Sequence, residues 1–442
     1  MIVDSPDPSV FGENYAVRVT VSAVSPGSGT PSGTVVVNDG VGNSCNIPLL
    51  SGTGSCNLPS TEVGGKTISA NYAGDANFNT SGNTTIHTVN KSNTITTITS
   101  DLPDPSVFGQ DYPVVVRVVA ATPGAGTPAG TVLISDSAGN SCNAPLLSGI
   151  GSCDLPSTAP GNKTISASYP GNTDFNPSSD IDNHVVTKAE TTTTITSDLP
   201  DSSVYGQNYT VAVNVAPVSP GAGTPTGNVT VSDGGGNSCN ITLTSGVGSC
   251  DLPSTVPGNK TISASYSEST FFKGSSDTES HKVNKADTTT TITSDSPDPS
   301  VYGQNYTVAV NVAAVAPGVG TPGGTVTVSD GEDNSCVITL TDGAGSCDLQ
   351  STVPGNKTLS ASYSGNTYFN VSNDTESHLI NKAGTTTTIT SDLPDPSVYG
   401  QMFTVAVNVA AIAPGAGTPA GTVAVNDGAG NTCDFTLSSG EG

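Results

Sequence analysis

The sequence predicts an all-β chain: a tandem array of small antiparallel β-sandwich domains placed end to end. Three observations carry this. The stretch Pro-Ser-Val-Phe/Tyr-Gly (Ser-Ser-Val-Tyr-Gly in the third copy) returns with its glycine at Gly12, Gly109, Gly206, Gly303 and Gly400, a constant step of 97 residues. Thr, Ser, Asn, Gly and Val dominate, and strong helix formers are scarce. The 31 prolines and 51 glycines fall at fixed places between alternating apolar runs, where they act as turn punctuation. A fixed period of this length is one module copied in tandem, and its size is that of a small self-contained domain.

The repeat divides the chain into modules 1–91, 92–188, 189–285, 286–382 and 383–442. The first lacks the Thr-rich run that opens the others, so its first strand is expected to be truncated. The last is C-terminally incomplete, because the partner expected for Cys433 would fall beyond Gly442. The sequence thus reads as an internal segment of a longer array. With 34% hydrophobic residues and no Trp, each module has only a thin core to bury.

The third module shows the elements in order. Thr191–Thr196 is a β-branched run, broken by Asp198-Leu-Pro-Asp201 ahead of Val204-Tyr205-Gly206. From Tyr209 to Val215 the pattern alternates, placing Tyr209, Val211, Val213 and Val215 on one face. A Pro220–Pro225 loop leads to a strand over Asn228–Ser232, closed by Asp233-Gly-Gly-Gly-Asn237. Residues 238–244 and 248–252 are expected to form a hairpin around Ser245-Gly246. Thr261–Tyr266 alternates again with Ile262, Ala264 and Tyr266 inward, and His281–Asn284 closes the module. Seven or eight short strands with frequent turns predict a sandwich of two antiparallel sheets.

Each full module carries one cysteine pair at C-x10-C: Cys45 and Cys56, Cys142 and Cys153, Cys239 and Cys250, Cys336 and Cys347. Zinc sites use shorter spacings and four ligands, so the pairs read as structural disulfides folded together by the glycine turn between them. Disulfides imply an oxidising, extracellular setting. The formal charge of −25, with no basic patch, excludes nucleic-acid binding, and no stretch is apolar enough for a membrane span.

The Asp-x-Pro-Asp pairs, Asp101 with Asp104 and Asp295 with Asp298 among them, are candidate Ca²⁺ ligands. They supply two carboxylates where the ion takes six to eight oxygens. The reading set against this is a Pro-enforced break that lets the first strand change sheets. No other cofactor is implied. The four histidines occupy one repeat position and are read as belonging to no shared site. No Ser/His/Asp or Cys/His set is visible, and no enzymatic activity is expected. The aromatics Phe271-Phe272 and Tyr368-Phe369, with the variable segment 75–86 and its copies, are where a ligand-binding surface would be sought.

The Thr-rich first strand, the Ser-Val-Phe/Tyr-Gly-Gln stretch, Thr-Pro-x-Gly-x-Val and the strand Thr-Ile/Leu-Ser-Ala-Ser-Tyr together resemble the bacterial Ig-like repeat domains of large surface proteins. The likeness runs the length of the chain. It implies Ig-like sandwiches in a cell-surface stalk or adhesin, with no catalytic residues to carry over. The chain departs from that pattern in its regular cysteine pair, and it lacks a core Trp and a long-spaced inter-sheet disulfide. The function expected is that of a disulfide-stapled structural spacer in an extracellular stalk, adhesin or fibre. The alternatives are a glycan- or host-binding module, or a filament subunit pairing through open strand edges. The partners implied are other domains of the array, neighbouring copies in a fibre, or a surface glycan or protein.

Overall fold

The computed structural model describes all 442 residues, and the chain is built from strands without an α-helix. Repeat 1 contains β1 (Ile2–Ser5), β2 (Ser9–Val10), β3 (Asn14–Thr20), β4 (Thr34–Asn38), β5 (Ser44–Pro48), β6 (Thr53–Pro59), β7 (Gly64–Tyr72) and β8 (Ser81–Asn90). They form a three-stranded sheet in the order β1-β3-β6 and a five-stranded sheet in the order β2-β8-β7-β4-β5. Repeat 2 follows with β9 (Thr94–Ser100), β10 (Ser106–Val107), β11 (Asp111–Ala120), β12 (Gly130–Asp136), β13 (Ser141–Leu146), β14 (Ile150–Pro156), β15 (Gly161–Tyr169) and β16 (Ser178–Thr187). Its sheets are β9-β11-β14 and β10-β16-β15-β12-β13, and repeats 3 and 4 keep both orders.

The two sheets face each other because side chains alternate along each strand. Along Asn208–Pro217, Tyr209, Val211, Val213 and Val215 are buried, and Ile262, Ala264 and Tyr266 are buried as well, as their spacing predicts. In repeat 2 the core gathers Tyr112, Val114, Val116, Val132, Ile134 and Leu155 with their neighbours. Burial of each large aliphatic contributes roughly 1.5–3 kcal/mol.

The Asp-x-Pro-Asp segment sits where the first strand changes sheets. β9 runs antiparallel to β11 in one sheet, and after residues 101–104 β10 runs parallel to β16 in the other. Proline has no N–H to offer a ladder, so the break falls there. In repeat 1 the first strand is present but short, four residues against nine in Thr191–Leu199. In repeat 5, Thr385–Leu393 pairs with Thr404–Ala411, and Thr422–Asn426 with Thr432–Thr436.

The expected hairpin over 238–252 is not one. Ser245 and Gly246 both take positive φ, 54° and 81°, and make a tight turn, but only Thr244 and Val247 bridge across it. Beyond the bridge the strands part. Ser238–Leu243 joins the five-stranded sheet and Val247–Pro253 the three-stranded one. The turn is a corner between sheets, because each strand has an apolar face to bury and one flat ladder could cover only one of them.

Packing groups the chain into two compact units, Met1–Thr192 with Val215–Gly227 and Tyr266–Ser275, and Thr193–Asn214 with Asn228–Ser265 and Ser276–Gly442. The division passes through the third repeat.

Candidate functional site: staple, buried clasp and joint

The four cysteine pairs are joined, Cys45–Cys56, Cys142–Cys153, Cys239–Cys250 and Cys336–Cys347, with Cα atoms 6.0–6.3 Å apart. The corner explains their placement. Cys142 lies opposite Ile134 in one sheet and Cys153 opposite Val114 in the other. The bridge therefore ties sheet to sheet rather than strand to neighbouring strand, which corrects the expectation from spacing. Cys433 is free and exposed. Thiol titration of the denatured, unreduced chain is expected to find one reactive thiol of the nine cysteines.

The histidines and the Asp-x-Pro-Asp pairs, separate in the sequence reading, converge in every full repeat. His87 Nδ1 lies 2.6 Å from Asp4 Oδ2, and His87 Nε2 lies 2.7 Å from Ser9 Oγ. Ser9 Oγ in turn is 2.6 Å from Ser60 Oγ. The same line runs Asp101–His184–Ser106–Ser157 at 3.0, 2.7 and 2.7 Å. It recurs as Asp198–His281–Ser203–Ser254 and as Asp295–His378–Ser300–Ser351. The second aspartate accepts the backbone N–H after the histidine, at 3.0 Å from Asp7 to Thr88 and 2.9 Å from Asp104 to Val185. A tyrosine ring stacks on each imidazole, Tyr112 on His184 at 3.8 Å and Tyr209 on His281 at 3.9 Å between centroids.

The line joins four places in the fold. Asp4 is on β1, Ser9 on β2 and His87 on β8, while Ser60 follows β6. It clasps both sheets at the point where the first strand crosses between them. Ser, His and Asp stand in the order of a hydrolytic triad, so the expectation of no such set is corrected. The chemistry does not follow. Ser9 and His87 are 0% exposed, the serine hydroxyl meets a second serine, and the ring is capped by Tyr15, so no carbonyl can reach the nucleophile. With Nδ1 carrying its hydrogen toward the aspartate and Nε2 accepting from the serine, every polar atom of the line is satisfied.

Two carboxylate oxygens and a histidine ring nitrogen lie within 4.8 Å of one another in each of the four full repeats, a grouping compatible with a divalent cation. The aspartate oxygens already accept the imidazole and a backbone N–H. The tyrosine hydroxyls of Tyr15, Tyr112, Tyr209 and Tyr306 are buried without a partner. Burial, reinforced by Asp39, pushes the Tyr15 phenol up to about 12, and burial with Asp233 does the same for Tyr209.

Asp233 behaves in the opposite way. Burial alone would raise it, but bonds from the Asn237 side chain and the Gly235 and Asn237 amides outweigh that and hold it below the usual carboxylate range. A lowered carboxylate pKa stabilises the fold above the unfolded value of about 3.9, and that share is lost as pH falls through the folded value. Melting curves are expected to shift down below about pH 4. In Asp233→Asn the part contributed by this carboxylate should disappear.

Consecutive repeats meet through the Ser-Val-Phe/Tyr-Gly turn. Phe11 packs edge-on against Phe175 of the next repeat at 5.4 Å, Phe108 against Phe272 at 5.4 Å, and Tyr205 against Phe369 at 5.4 Å. The carbonyls of Phe11, Phe108, Tyr205 and Tyr302 accept the N–H of Ala125, Ala222, Val319 and Ala416. The following glycine is required here: a Cβ on Gly109 would stand 2.6 Å from the Ala222 backbone. The linker itself is stitched down. Ser92 N–H bonds Asp174 O and Asn176 N–H bonds Ser92 O, and Ala189 and Ala286 repeat the pattern. Lys91, Lys188 and Lys285 cap carbonyls of the same loop. Phe272 and Phe369, sought above as ligand-facing aromatics, are buried in these joints, while Phe271 and Tyr368 beside them are exposed.

The fold and its repeated clasp define a tandem array of Ig-like β-sandwiches. A family model for the bacterial Ig-like domain (group 3) matches residues 2–90, 98–188, 195–284 and 292–380, and the chain belongs to that family. No curated protein sequence matches it. Among solved structures the chain is similar to invasin, a bacterial integrin-binding protein, at 13% identity over 88% of this chain and 80% of that one, with a TM-score of 0.37. It is also similar to the Ca²⁺-stabilised adhesin with which an Antarctic bacterium binds ice, at 16% identity over 84% and 94% with a TM-score of 0.24. A titin fragment, I67–I69, matches at 10% identity over 66% and 97% with a TM-score of 0.28. These likenesses concern the fold alone. No helix is long and apolar enough to cross a membrane.

Proposed function

We propose that this chain is a structural spacer in an extracellular surface protein of the stalk or adhesin type, with modules bounded near 91, 188, 285 and 382. The observation that supports this most is the joint. The linker residues Ser92, Ala189 and Ala286 each give and accept a backbone hydrogen bond within the repeat that follows, so the connection has no slack of the kind a Gly/Ser tether has. Polar groups are spent on closing the clasp, and the conspicuous aromatics are spent on joints, which leaves no convergent set facing solvent. We read the chain as non-enzymatic for the same reason. The Asp/Asp/His group serves as a hydrogen-bonded clasp rather than a Ca²⁺ site, since that ion takes oxygen ligands and here a ring nitrogen stands between the carboxylates.

The test is a binding screen of the oxidised chain against glycan and host-matrix arrays at micromolar concentration, with and without chelator. A spacer gives no saturable binding and an unchanged melting curve on chelation. Saturable binding lost on a single loop substitution would favour the adhesin reading instead.

A further inference from the structure

We infer that the first repeat carries an open docking socket, formed around Gly29 and Phe78, whose partner is one more repeat of this class presenting its aromatic-glycine turn. The filled joints show what such a socket contains. In repeat 2 it is the turn ending at Gly126 (φ 107°) with Phe175 behind it, and a Cβ on Gly126 would be 3.1 Å from Phe11 of the preceding repeat and 3.3 Å from Phe175. Gly223 stands in the same relation to Phe108 and Phe272, and Gly320 to Tyr205 and Phe369. The same geometry recurs each time, with the knob from one repeat and the socket from the next.

Repeat 1 has the socket half already shaped. Gly29 takes φ 113°, and a Cβ there would lie 3.3 Å from the Phe78 ring, matching the Gly126–Phe175 distance, with no second ring near it. The loop behind is built by the same side-chain turn. Asp75 Oδ1 accepts the N–H of Asn77 and Phe78, as Asn172 Oδ1 accepts those of Asp174 and Phe175. In the filled joints a lysine at the end of the knob-bearing repeat caps this loop, Lys91 on Asn172 O and Lys285 on Asn366 O. In repeat 1 both carboxylate oxygens of Asp75 are used internally, Oδ1 by this turn and Oδ2 by the Ser32 N–H and hydroxyl, so the Asp75 main-chain carbonyl is the group a neighbour's lysine would cap. Ser28 occupies the place of Ala125, whose N–H takes the knob's carbonyl.

The partner is identified by the spacer reading and rests on it, but the experiment addresses the socket alone. A second copy of residues 286–388 is fused ahead of Met1, and amide exchange is followed at Ser28. Exchange is expected to slow by about tenfold or more, the effect of a backbone hydrogen bond gained at a stable contact. Tyr302→Ala in the added copy should abolish the slowing and Tyr302→Phe should retain it. Protection at Val308 and Val310 of the added copy confirms that it has folded. In the unextended chain, Phe108→Ala should speed exchange at Ala222 in the next repeat while Phe108→Tyr does not. An unchanged Ser28 rate, or slowing that survives Tyr302→Ala, overturns the inference and leaves the spacer reading to its own test.

Discussion

Replacing Cys142 and Cys153 together by serine is expected to destabilise the second repeat by about 3 kcal/mol, from the entropy regained by an unfolded chain no longer closed across 11 residues. For a domain of this size that corresponds to a fall in Tm of roughly 10–20 °C. The effect is large because the core is thin and the bridge is one of two specific ties between the sheets, the other being the Asp101–His184–Ser106–Ser157 line. Cys433→Ser, at a free and exposed thiol, is expected to leave the melt unchanged. Calorimetry of the two variants beside the parent chain decides it. A double-serine chain whose second repeat melts with the others would mean that the staple holds nothing.

Replacing His184 by alanine is the second large effect. It takes the imidazole away from the Ser106 hydroxyl and the Asp101 carboxylate, leaving Ser106 only its bond to Ser157, and removes the ring that Tyr112 stacks on. Orphaned buried polar groups cost about 1–3 kcal/mol each, and more where one of them is a carboxylate. The expected loss is roughly 3–5 kcal/mol, enough to unfold a marginal repeat at moderate temperature. Ser106→Ala should cost less, because it spares the His184–Asp101 bond. Denaturant unfolding of both variants tests the order. A His184→Ala chain as stable as the parent would show that the line of bonds is incidental.

Much of the fold is legible from the residues because it follows from local patterns. The 97-residue step, the alternation Tyr209-Val211-Val213-Val215 and the prolines at the strand break each fix one element without reference to the rest. The clasp is different. Asp101 and His184 are 83 residues apart, and only closing the five-stranded sheet brings β16 beside the end of β9. One signal for it was present, since the aspartates and histidines share the same period, and a fixed offset between two chemically complementary residues hints at contact. Phe272 and Phe369 were misleading for a related reason. Their sequence surroundings are those of a loop, and only the preceding repeat's aromatic turn shows that they are buried. The corner at Ser245-Gly246 has the turn residues of a hairpin, so the turn itself could be read but not the parting of the strands after it.

Single-molecule pulling of the chain, oxidised and then reduced, tests the central claim most directly. A chain of stapled structural repeats should give successive unfolding events of nearly equal length. Each bridge spans a sequence separation of 11 with its Cα atoms 6.0–6.3 Å apart, so reduction should lengthen every event of a full repeat by about 30–34 Å, at roughly 3.3–3.6 Å per extended residue less the span already counted, while lowering the force required. Events of the same length before and after reduction, or smooth extension with no resolved events, would contradict the account.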